Sequence, residues 1–298
     1  MNPNLPRVTV VTPSFNQAQF LETTILSVLG QCYPKLEYIV MDGGSTDGSA
    51  EIIRRYGAQI AYWQSQPDGG QAAAINAGFS RATGDILCWL NSDDFFLPGT
   101  LLRIAHQLAA RVNEPALTYG SCLFFREGPS ASAKILKARS FDAAQLRATD
   151  YIVQPSAFWT RSLWEKTGPL DETLTFGFDW DWFIRASTHA DFVPVEEILS
   201  AYRRHAAHKS GSGGTRRREE ITKVVHRHGD ARLVEAYDFT LRHWSDVQRW
   251  SAIRRWMEKR GVPGAGAIPR ATVPALWRLP QDVTLHDVRI AAGMLADA

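Results

Sequence analysis

The sequence predicts an α/β protein with a mostly parallel central sheet flanked by helices, followed by a helical C-terminal appendage. Short apolar, β-branched runs alternate with helical patterns from Val8 onward, an order typical of parallel sheets with crossover helices. Glycine-rich and acidic clusters follow these runs, where loops at the carboxyl ends of strands are expected. The composition then changes near residue 214, so we predict domains at 1–214 and 215–298.

The predicted elements follow in order along the chain. The helical spacing of apolar residues separates helices from strands, and glycine, proline and aspartate clusters mark their ends. We predict strands at 8–12, 36–41, 60–63, 86–90 and 116–126. Helices are predicted at 20–29, 49–56, 71–82 and 101–110, and another opens at Trp182.

The C-terminal appendage is net basic, whereas residues 1–214 are net acidic. Ser210 to Gly214 predicts a flexible linker, and the basic run from Arg216 to Arg218 starts a helical tail. From Tyr237 to Met257, apolar residues recur at three- and four-residue intervals, which predicts one amphipathic helix. Packing on the main domain is favoured for this helix, and contact with a membrane surface or dimerisation are the alternatives.

Composition and charge indicate a globular protein that does not bind nucleic acid. The chain has 298 residues, of which 33 are Lys or Arg and 31 are Asp or Glu, giving a net charge of +2. This balance argues against a nucleic-acid binder. With 45% hydrophobic and 21% charged residues, the chain has the composition of a globular protein.

The cysteines and the N-terminus indicate a cytoplasmic protein. Cys32, Cys88 and Cys122 lack metal-ligand spacing and lie in or beside apolar stretches, so we predict buried thiols in a reducing compartment. The polar N-terminus does not resemble an export signal. No apolar run approaches the length of a membrane span.

Asp93 and Asp94 follow the predicted strand that ends at Leu90. Two adjacent carboxylates repel each other unless a cation or protons compensate, and Mg²⁺ and Mn²⁺ prefer oxygen ligands of this kind. Capping of the following helix explains them equally well. The sequence pattern alone leaves both interpretations open.

Asp42 and Asp68 each stand beside a pair of glycines after a predicted strand. A carboxylate there could accept hydrogen bonds from a base or a ribose, and glycine permits a close approach of the backbone. Asp and Gly are also ordinary turn residues, which is the favoured interpretation for either loop by itself. Neither loop fits a dinucleotide fingerprint or a phosphate-binding loop with its lysine.

Asp179 and Asp181 lie at the start of a predicted helix, among Phe178, Trp180 and Trp182. A carboxylate there could act as a general base if an acceptor hydroxyl reached it, or it could cap the helix. The aromatic side chains could belong to the core or line a sugar subsite.

His205 and His208 lie beside Arg203, Arg204 and Lys209. The histidines could ligate a metal or, with the basic residues, bind a diphosphate. An incidental pair of histidines is the alternative.

Taken in order, these segments resemble family 2 glycosyltransferases, which have the GT-A nucleotide-sugar fold. The resemblance covers roughly residues 7 to 210, and the ordered set is far more specific than any one motif. It rests on VVTPSFN at 10–16, MDGGSTDG at 41–48, DGGQ at 68–71, NAG at 76–78, TGD at 83–85, LNSDD at 90–94, QP at 154–155, GPLDE at 168–172 and DWD at 179–181.

The resemblance implies a nucleotide-binding set. By this resemblance Asp42 binds the base. The loop from Pro13 to Phe15 and Asp68 help to enclose the nucleotide. The full set that it implies for the nucleotide sugar is Thr12, Pro13, Ser14, Phe15, Asp42, Asp68, Gly70, Gln71, Asn91 and Ser92.

The resemblance also implies a divalent cation, Mn²⁺ or Mg²⁺, held by the Asp-X-Asp-type segment. Asn91 replaces its first aspartate, which leaves Asp93 as the implied ligand and Asp94 as a second candidate. His205 matches a late histidine that in relatives lies near the metal or the diphosphate.

The resemblance implies inverting transfer of a sugar, with Asp179 as the catalytic base. The family's Glu-Asp pair appears here as Phe178-Asp179. A UDP-sugar is the favoured donor, with TDP- or GDP-sugars as alternatives, and the acceptor is a glycan or a lipid-linked sugar of surface polysaccharide or glycolipid synthesis. Two other functions remain open: a sugar nucleotidyltransferase, and a non-catalytic domain that binds carbohydrate or a partner.

Overall fold

The computed structural model of the protein describes residues 5–128, 131–205, 208–209, 213–262 and 273–296. The chain divides into two compact units. The first comprises residues 1–143 and 151–206, and the second comprises residues 144–150 and 207–298. This division by contacts does not decide the functional boundary at residue 214, which stays a prediction.

The first unit is built on a central sheet with nine strands in the described residues. They are β1 (Val8–Ser14), β2 (Leu36–Asp42), β3 (Tyr62–Ser65), β4 (Ile86–Trp89), β5 (Phe95–Phe96), β6 (Leu117–Arg126), β7 (Ser132–Leu136), β8 (Ala157–Thr160) and β9 (Phe192–Arg203). Their order is β3-β2-β1-β4-β8-β6-β9-β5, and β7 pairs with β6. The predicted α/β class is confirmed.

The first four strands of the sheet are parallel and end at one edge. Ser14 of β1 is in register with Asp42 of β2, and Asp42 is in register with Ser65 of β3. β4 pairs in parallel with β1. The remaining strands mix antiparallel pairs with the parallel pair β6–β9. Because the parallel strands share a direction, the loops that follow them meet at this edge.

Among the described residues, seven helices alternate with the strands along the chain. In chain order they are α1 (Ala18–Leu29), α2 (Ser49–Tyr56), α3 (Gln71–Arg81), α4 (Thr100–Leu108), α5 (Ala143–Ala148), α6 (Arg161–Thr167) and α7 (Phe178–Ala186). Gly78 of α3 packs so closely on β1 that a Cβ there would lie 2.5 Å from Val11 Cγ1. Helix α3 therefore lies directly on the sheet, with its N-terminus at the edge where the parallel strands end.

The second unit is helical in its described part. Its helices are α8 (Gly214–His228), α9 (Ala231–Arg242), α10 (Trp244–Glu258) and α11 (Leu285–Leu295), together with residues 144–148 of α5. Side chains of α9, α10 and α11 form a separate apolar core with the segment around Leu276.

The tail prediction was wrong in one respect, because the single helix predicted from Tyr237 to Met257 is two helices. Helix α9 ends at Arg242, and His243 leaves the helical conformation at φ −108° and ψ 32° before α10 begins. The apolar stripe is therefore not continuous across His243. Trp256, part of the predicted stripe, is 55% exposed.

Two further predictions need correction. Cys88 and Cys122 are buried free thiols as predicted, but Cys32 is exposed and adopts a positive φ of 48° after α1 ends. The Cys32 side chain lies in a turn at the surface and not in the core. Residues 210–212 of the predicted linker lie outside the described residues, and Gly214 is already the first residue of α8.

None of the helices in the described residues combines the length and the apolar character that a membrane span requires.

Glu37 ties β2 to β1 and to the loop before β4. Its carboxylate accepts hydrogen bonds from the Thr9 hydroxyl, the Thr83 amide at 2.7 Å and the Thr83 hydroxyl at 2.6 Å. Partial burial acts to raise the pKa of Glu37, but these hydrogen bonds and Arg7 outweigh burial and lower the pKa from its ordinary value of 4.5. The ionised form therefore stabilises the fold.

We expect Glu37→Gln to lower the free energy of unfolding at pH 7 by about 1–3 kcal/mol, because an amide cannot accept all three hydrogen bonds. The folded-state pKa is depressed, so the advantage of wild type is present above pH 4.5 and shrinks as pH falls through the folded-state pKa. Urea unfolding at several pH values measures this. Exposed Glu165, changed to Gln, is the control and should stay within about 0.5 kcal/mol of wild type.

Candidate active site

Asp42 closes β2 with a buried carboxylate that holds two loops. Its oxygens accept hydrogen bonds from the Ser45 amide at 2.9 Å, the Ser45 hydroxyl at 2.6 Å and the Ser65 hydroxyl at 2.6 Å. Ser45 in turn accepts from the Asn16 amide at 2.7 Å, which joins the loops after β1 and β2. The predicted base-binding aspartate thus also organises its own loop.

The end of β1 presents its predicted nucleotide-binding residues in different ways. Thr12 is buried and accepts a hydrogen bond from the Tyr38 hydroxyl at 3.1 Å, while Pro13 is also buried. Ser14 Oγ is buried without a hydrogen-bond partner among the described residues. Phe15 is 61% exposed. Phe15 therefore offers a ring at the surface, and Thr12 contributes chiefly to the core.

The loops after β2 and β3 approach each other at Asp68. A Cβ on Gly43 would lie 3.0 Å from Asp68 Oδ2, so glycine permits this approach. Asp68 Oδ1 accepts a hydrogen bond from the Gly70 amide at 2.7 Å, and Gly70 has a φ of 102° just before α3. Asp42 and Asp68, predicted to enclose one nucleotide, are thus on neighbouring loops.

An amide network connects α3 to the loop after β4. Gln71 Nε2 donates to Asn91 Oδ1 at 2.8 Å, and Asn91 Nδ2 lies 3.4 Å from both Asp94 Oδ2 and Gln154 Oε1. Gln154 Nε2 donates to the carbonyl of Trp89 at 2.8 Å. Asn91 is therefore held in place by three neighbours, and Ser92 beside it is buried.

Asp93 and His205 face each other across the ends of two strands. Asp93 Oδ2 lies 3.0 Å from His205 Nε2, and the side chains are 19% and 13% exposed. The His205 ring also packs on Phe20, with ring centroids 4.4 Å apart. The structure thus brings together two residues 112 positions apart that the sequence analysis named as metal ligands.

Asp94 differs from its neighbour in being almost fully buried. Burial raises the pKa of Asp94 well above its usual range and the Asp93 carboxylate raises it further, while the hydrogen bond from the Arg203 amide opposes both. That amide donates to Asp94 Oδ1 at 3.1 Å. Because its oxygens are engaged inside the fold, Asp94 is the less accessible of the two candidate ligands.

The donors at this place fit a divalent cation only in part. In the described ranges, no group of three or more His, Cys, Asp or Glu side chains is arranged to hold a metal. Asp93 and His205 are two suitable donors, and their 3.0 Å separation equals that of adjacent ligands about 2.1 Å from one ion. Mg²⁺ and Mn²⁺ commonly take further ligands from water and phosphate. Two protein ligands therefore fit a cation that a diphosphate also binds.

The two aspartates of α7 have different environments. Asp181 is fully buried and its Oδ2 lies 2.9 Å from Arg185 Nε, whereas Asp179 is half-buried and its Oδ1 accepts from the Trp180 amide at 2.9 Å. Of the two, Asp179 is the more accessible carboxylate, and its role as the base stays a prediction.

Phe178 links the start of α7 to the sheet. Its ring centroid lies 6.2 Å from that of Trp89 at the end of β4, and its side chain is buried. The first turn of α7 therefore lies next to the strand that leads to Asp93. At the position of the family's glutamate, this chain has a core aromatic residue.

Arg203, Gln154 and Thr24 also contact the loop after β4, although none of the three is in the site set predicted from the resemblance. The Thr24 hydroxyl on α1 donates to the carbonyls of Ser92 and Asp94, at 2.9 and 2.7 Å. Gln154 stands in the QP motif and Arg203 among the basic residues near His205, whereas Thr24 gave no sequence signal. His208, the other candidate histidine, belongs to the second unit.

The chain is similar to known glycosyltransferases. Residues 9–150 match the model of glycosyl transferase family 2. A glycosyltransferase of Mycobacterium tuberculosis is 29% identical over 227 residues, which cover 76% of this chain and 84% of the relative. TuaG, a Bacillus subtilis glycosyltransferase named for teichuronic acid biosynthesis, is 38% identical over 92 residues, 30% of this chain and 36% of TuaG. The resemblance to family 2 glycosyltransferases found in the sequence is confirmed by this match and these relatives, which support glycosyltransferase activity.

Solved structures confirm the fold. Staphylococcus aureus TarS residues 1–349 in complex with UDP-GlcNAc has a TM-score of 0.58 and 14% identity, covering 96% of this chain and 90% of that chain. The mannosyltransferase PcManGT from Pyrobaculum calidifontis, in complex with GDP-Man and Mn²⁺, has a TM-score of 0.58 and 18% identity, covering 98% and 86%. The chain therefore has the GT-A glycosyltransferase fold.

We expect Asp181→Asn to lower the free energy of unfolding by roughly 3 kcal/mol, because it removes the buried charge that pairs with Arg185. Urea unfolding measures the change. Exposed Asp191, the residue immediately before β9, changed to Asn, is the matched control and should remain within about 0.5 kcal/mol of wild type. Equal stability of both variants would contradict a structural role for Asp181.

Proposed function

We propose that this protein transfers a sugar from a nucleotide-diphosphate sugar to an acceptor hydroxyl, with inversion and with a divalent cation. The transferase domain in this proposal comprises residues 1–214, and residues 215–298 form a helical appendage. The observation that carries the proposal is the pairing of Asp93 with His205 at the sheet edge where the four parallel strands end.

The donor would lie over the loops that follow the parallel strands. The base would contact Asp42 and Asp68, whose loops meet at Gly43, and the exposed Phe15 ring would cover it. Gly70, Gln71, Asn91 and Ser92 would lie along the rest of the donor. We favour a UDP-sugar over TDP- and GDP-sugars; both UDP-GlcNAc and GDP-Man are bound by proteins of this fold.

Asp93 and His205 would hold Mn²⁺ or Mg²⁺, with Asp94 as a second candidate behind them. When bound, the cation supplies positive charge against the charge that develops on the leaving diphosphate. Asp93 offers the accessible carboxylate for this role, because the oxygens of Asp94 are already hydrogen-bonded inside the fold. The Mn²⁺ complex of PcManGT supports a cation in this fold.

Asp179 would act as the base. Its carboxylate would accept the proton of the acceptor hydroxyl while that oxygen forms a bond to the anomeric carbon, and the bond from that carbon to the diphosphate oxygen breaks. A single displacement of this kind inverts the anomeric centre and requires no covalent intermediate with the protein. The half-buried position of Asp179 supports this role, since the paired and buried Asp181 could not be reached.

The acceptor in this proposal is a glycan or a lipid-linked sugar used in surface polysaccharide or glycolipid synthesis. The similarity to TuaG supports a polysaccharide role. We place the protein in the cytoplasm, with membrane contact or dimerisation through the basic tail as a further part of the proposal.

Calorimetric titration with UDP, GDP, TDP and CMP tests the donor and the cation. We expect one nucleotide to bind preferentially in the presence of Mn²⁺ or Mg²⁺, and a chelator to weaken it. Asp93→Ala should weaken cation-dependent binding by about tenfold or more, because it removes the accessible carboxylate. Asp191→Ala, at an exposed site, should leave binding unchanged.

Two results of this titration would count against the proposal. If the folded wild-type protein binds none of the four nucleotides, the non-catalytic alternative is favoured. Equal affinity of wild type and Asp93→Ala for the nucleotide with Mn²⁺ would remove Asp93 from the cation site.

Asp179→Asn tests the base. We expect transfer to fall by a factor of about 10²–10⁴, the usual contribution of a general base, while nucleotide affinity stays near that of wild type. Asp191→Asn serves as the control. Transfer is measured as the nucleoside diphosphate released when a sugar donor and its acceptor are both present. Full turnover by Asp179→Asn would disprove the assignment of Asp179 as the base. Release of pyrophosphate from a nucleoside triphosphate would instead indicate a nucleotidyltransferase.

A further inference from the structure

Arg203 is a buried cation in direct contact with the acidic loop after β4. It is the last residue of β9 and is 7% exposed. Its backbone amide donates to Asp94 Oδ1 at 3.1 Å, and its side-chain Nε donates to the carbonyl of Asp93 at 3.2 Å. One residue thus binds both aspartates of the loop, through two different groups.

Three aromatic rings from three elements surround the guanidinium. Its central carbon lies 4.9 Å from the ring centroid of Phe20 on α1, 4.9 Å from that of Phe125 on β6 and 5.9 Å from that of Phe95 on β5. Contacts between a cation and ring faces at these distances are attractive, and more so when water is excluded. The side chain is therefore held in one orientation on its apolar side.

Glu127 fixes the remaining side of the guanidinium. Its Oε1 pairs with Arg203 Nη1, while Nε of the same guanidinium is directed at Asp93. These two donors diverge from one rigid plane, a geometry that a lysine ammonium cannot reproduce. The side chain of Glu127 is 66% exposed, so the aromatic rings and Asp93 provide the buried part of this arrangement.

We propose that Arg203 is a positioning residue: it fixes the backbone of Asp93 so that the Asp93 carboxylate faces His205. Arg203 acts through Asp93 and does not touch the donor. The inference rests on the proposed cation site, because the value of this orientation lies in offering Asp93 and His205 together. Its geometric part, the ordering of the loop, holds for the protein without any ligand.

Hydrogen exchange of the ligand-free protein tests the ordering of the loop. The Asp94 amide donates to the Asn91 carbonyl at 3.1 Å, and the Leu97 amide donates to the Leu199 carbonyl at 2.9 Å. In Arg203→Lys, which keeps the charge but loses the fork of donors, we expect peptides covering 91–97 to exchange about tenfold faster. Peptides covering β2 should not change, which separates local loosening from global destabilisation.

The affinity for Mn²⁺ in the presence of UDP tests the consequence, measured by electron paramagnetic resonance of free Mn²⁺. We expect Arg203→Lys and Arg203→Met to weaken Mn²⁺ binding by about 10- to 100-fold, as loss of partners of metal ligands does elsewhere. Met keeps apolar packing against the rings. Excess Mn²⁺ should restore transfer by Arg203→Lys, since the variant retains Asp93, His205 and Asp179. Arg126→Lys, an exposed neighbour on β6, should match wild type in both measurements.

The outcomes are distinguishable. Unchanged exchange at 91–97 in Arg203→Lys overturns the inference whatever the protein binds. Wild-type Mn²⁺ affinity in both variants also overturns it. If wild type itself binds neither Mn²⁺ nor any nucleotide, the proposed function fails, and the exchange experiment still decides whether Arg203 orders the loop.

Discussion

The hydrogen bond from the Arg203 amide to the buried Asp94 carboxylate is the constraint on which the site depends. It joins the end of β9 to the loop after β4, two segments 109 residues apart. The Asp94 carbonyl accepts from the Thr24 hydroxyl on α1 at 2.7 Å, so a third element joins at the same residue. A buried carboxylate without partners would be costly, and the bonds from the Arg203 amide and Asn91 Nδ2 offset part of that cost. Together, the bonds from the Arg203 amide and the Thr24 hydroxyl hold Asp94 in place and so position the neighbouring Asp93.

The burial of Asp94 explains why an amide at position 91 suits this chain. Asn91 can accept a hydrogen bond from Gln71 and at the same time present its Nδ2 to Asp94, because an amide carries both kinds of group. A carboxylate at position 91 has no proton to offer and would face a second carboxylate. The departure from the family's Asp-X-Asp pattern is thus compatible with a site that keeps a single accessible aspartate, Asp93, for a cation.

Much of the fold follows from the sequence, because its first half alternates strand and helix patterns with strong turn signals between them. The strand β9 does not follow, since Pro194 and the charged Glu196 and Glu197 interrupt the apolar pattern that would indicate it. Its partners supply the reason it forms: β9 pairs with β6 over most of its length and with β5. Such pairing is non-local and leaves no periodic trace in the sequence.

The candidate site shows a similar division. The aspartates after strands could be named because loops at one edge of a parallel sheet converge. The residue pattern alone did not separate Asp179 from Asp181, as both stand in the first turn of one helix. The family resemblance selected Asp179, and the structure distinguishes the two by the full burial of Asp181 and its ion pair with Arg185. Nor could composition predict that Cys32 would stand in an exposed turn or that α9 would end at Arg242, since both depend on local backbone conformation.

The short segment 144–150 has a consequence for how the chain can be divided. It leaves the first unit, joins the second and returns, so the polypeptide passes between the units three times. Within the second unit, the Ala148 carbonyl accepts from the buried Tyr237 hydroxyl at 2.7 Å, and Leu146 is fully buried. No single cut of the polypeptide yields two complete halves. A protein shortened at residue 214 would keep α5 without its contacts to the second unit, such as the one with Tyr237. An isolated tail would in turn lack the α5 residues that pack in its own unit.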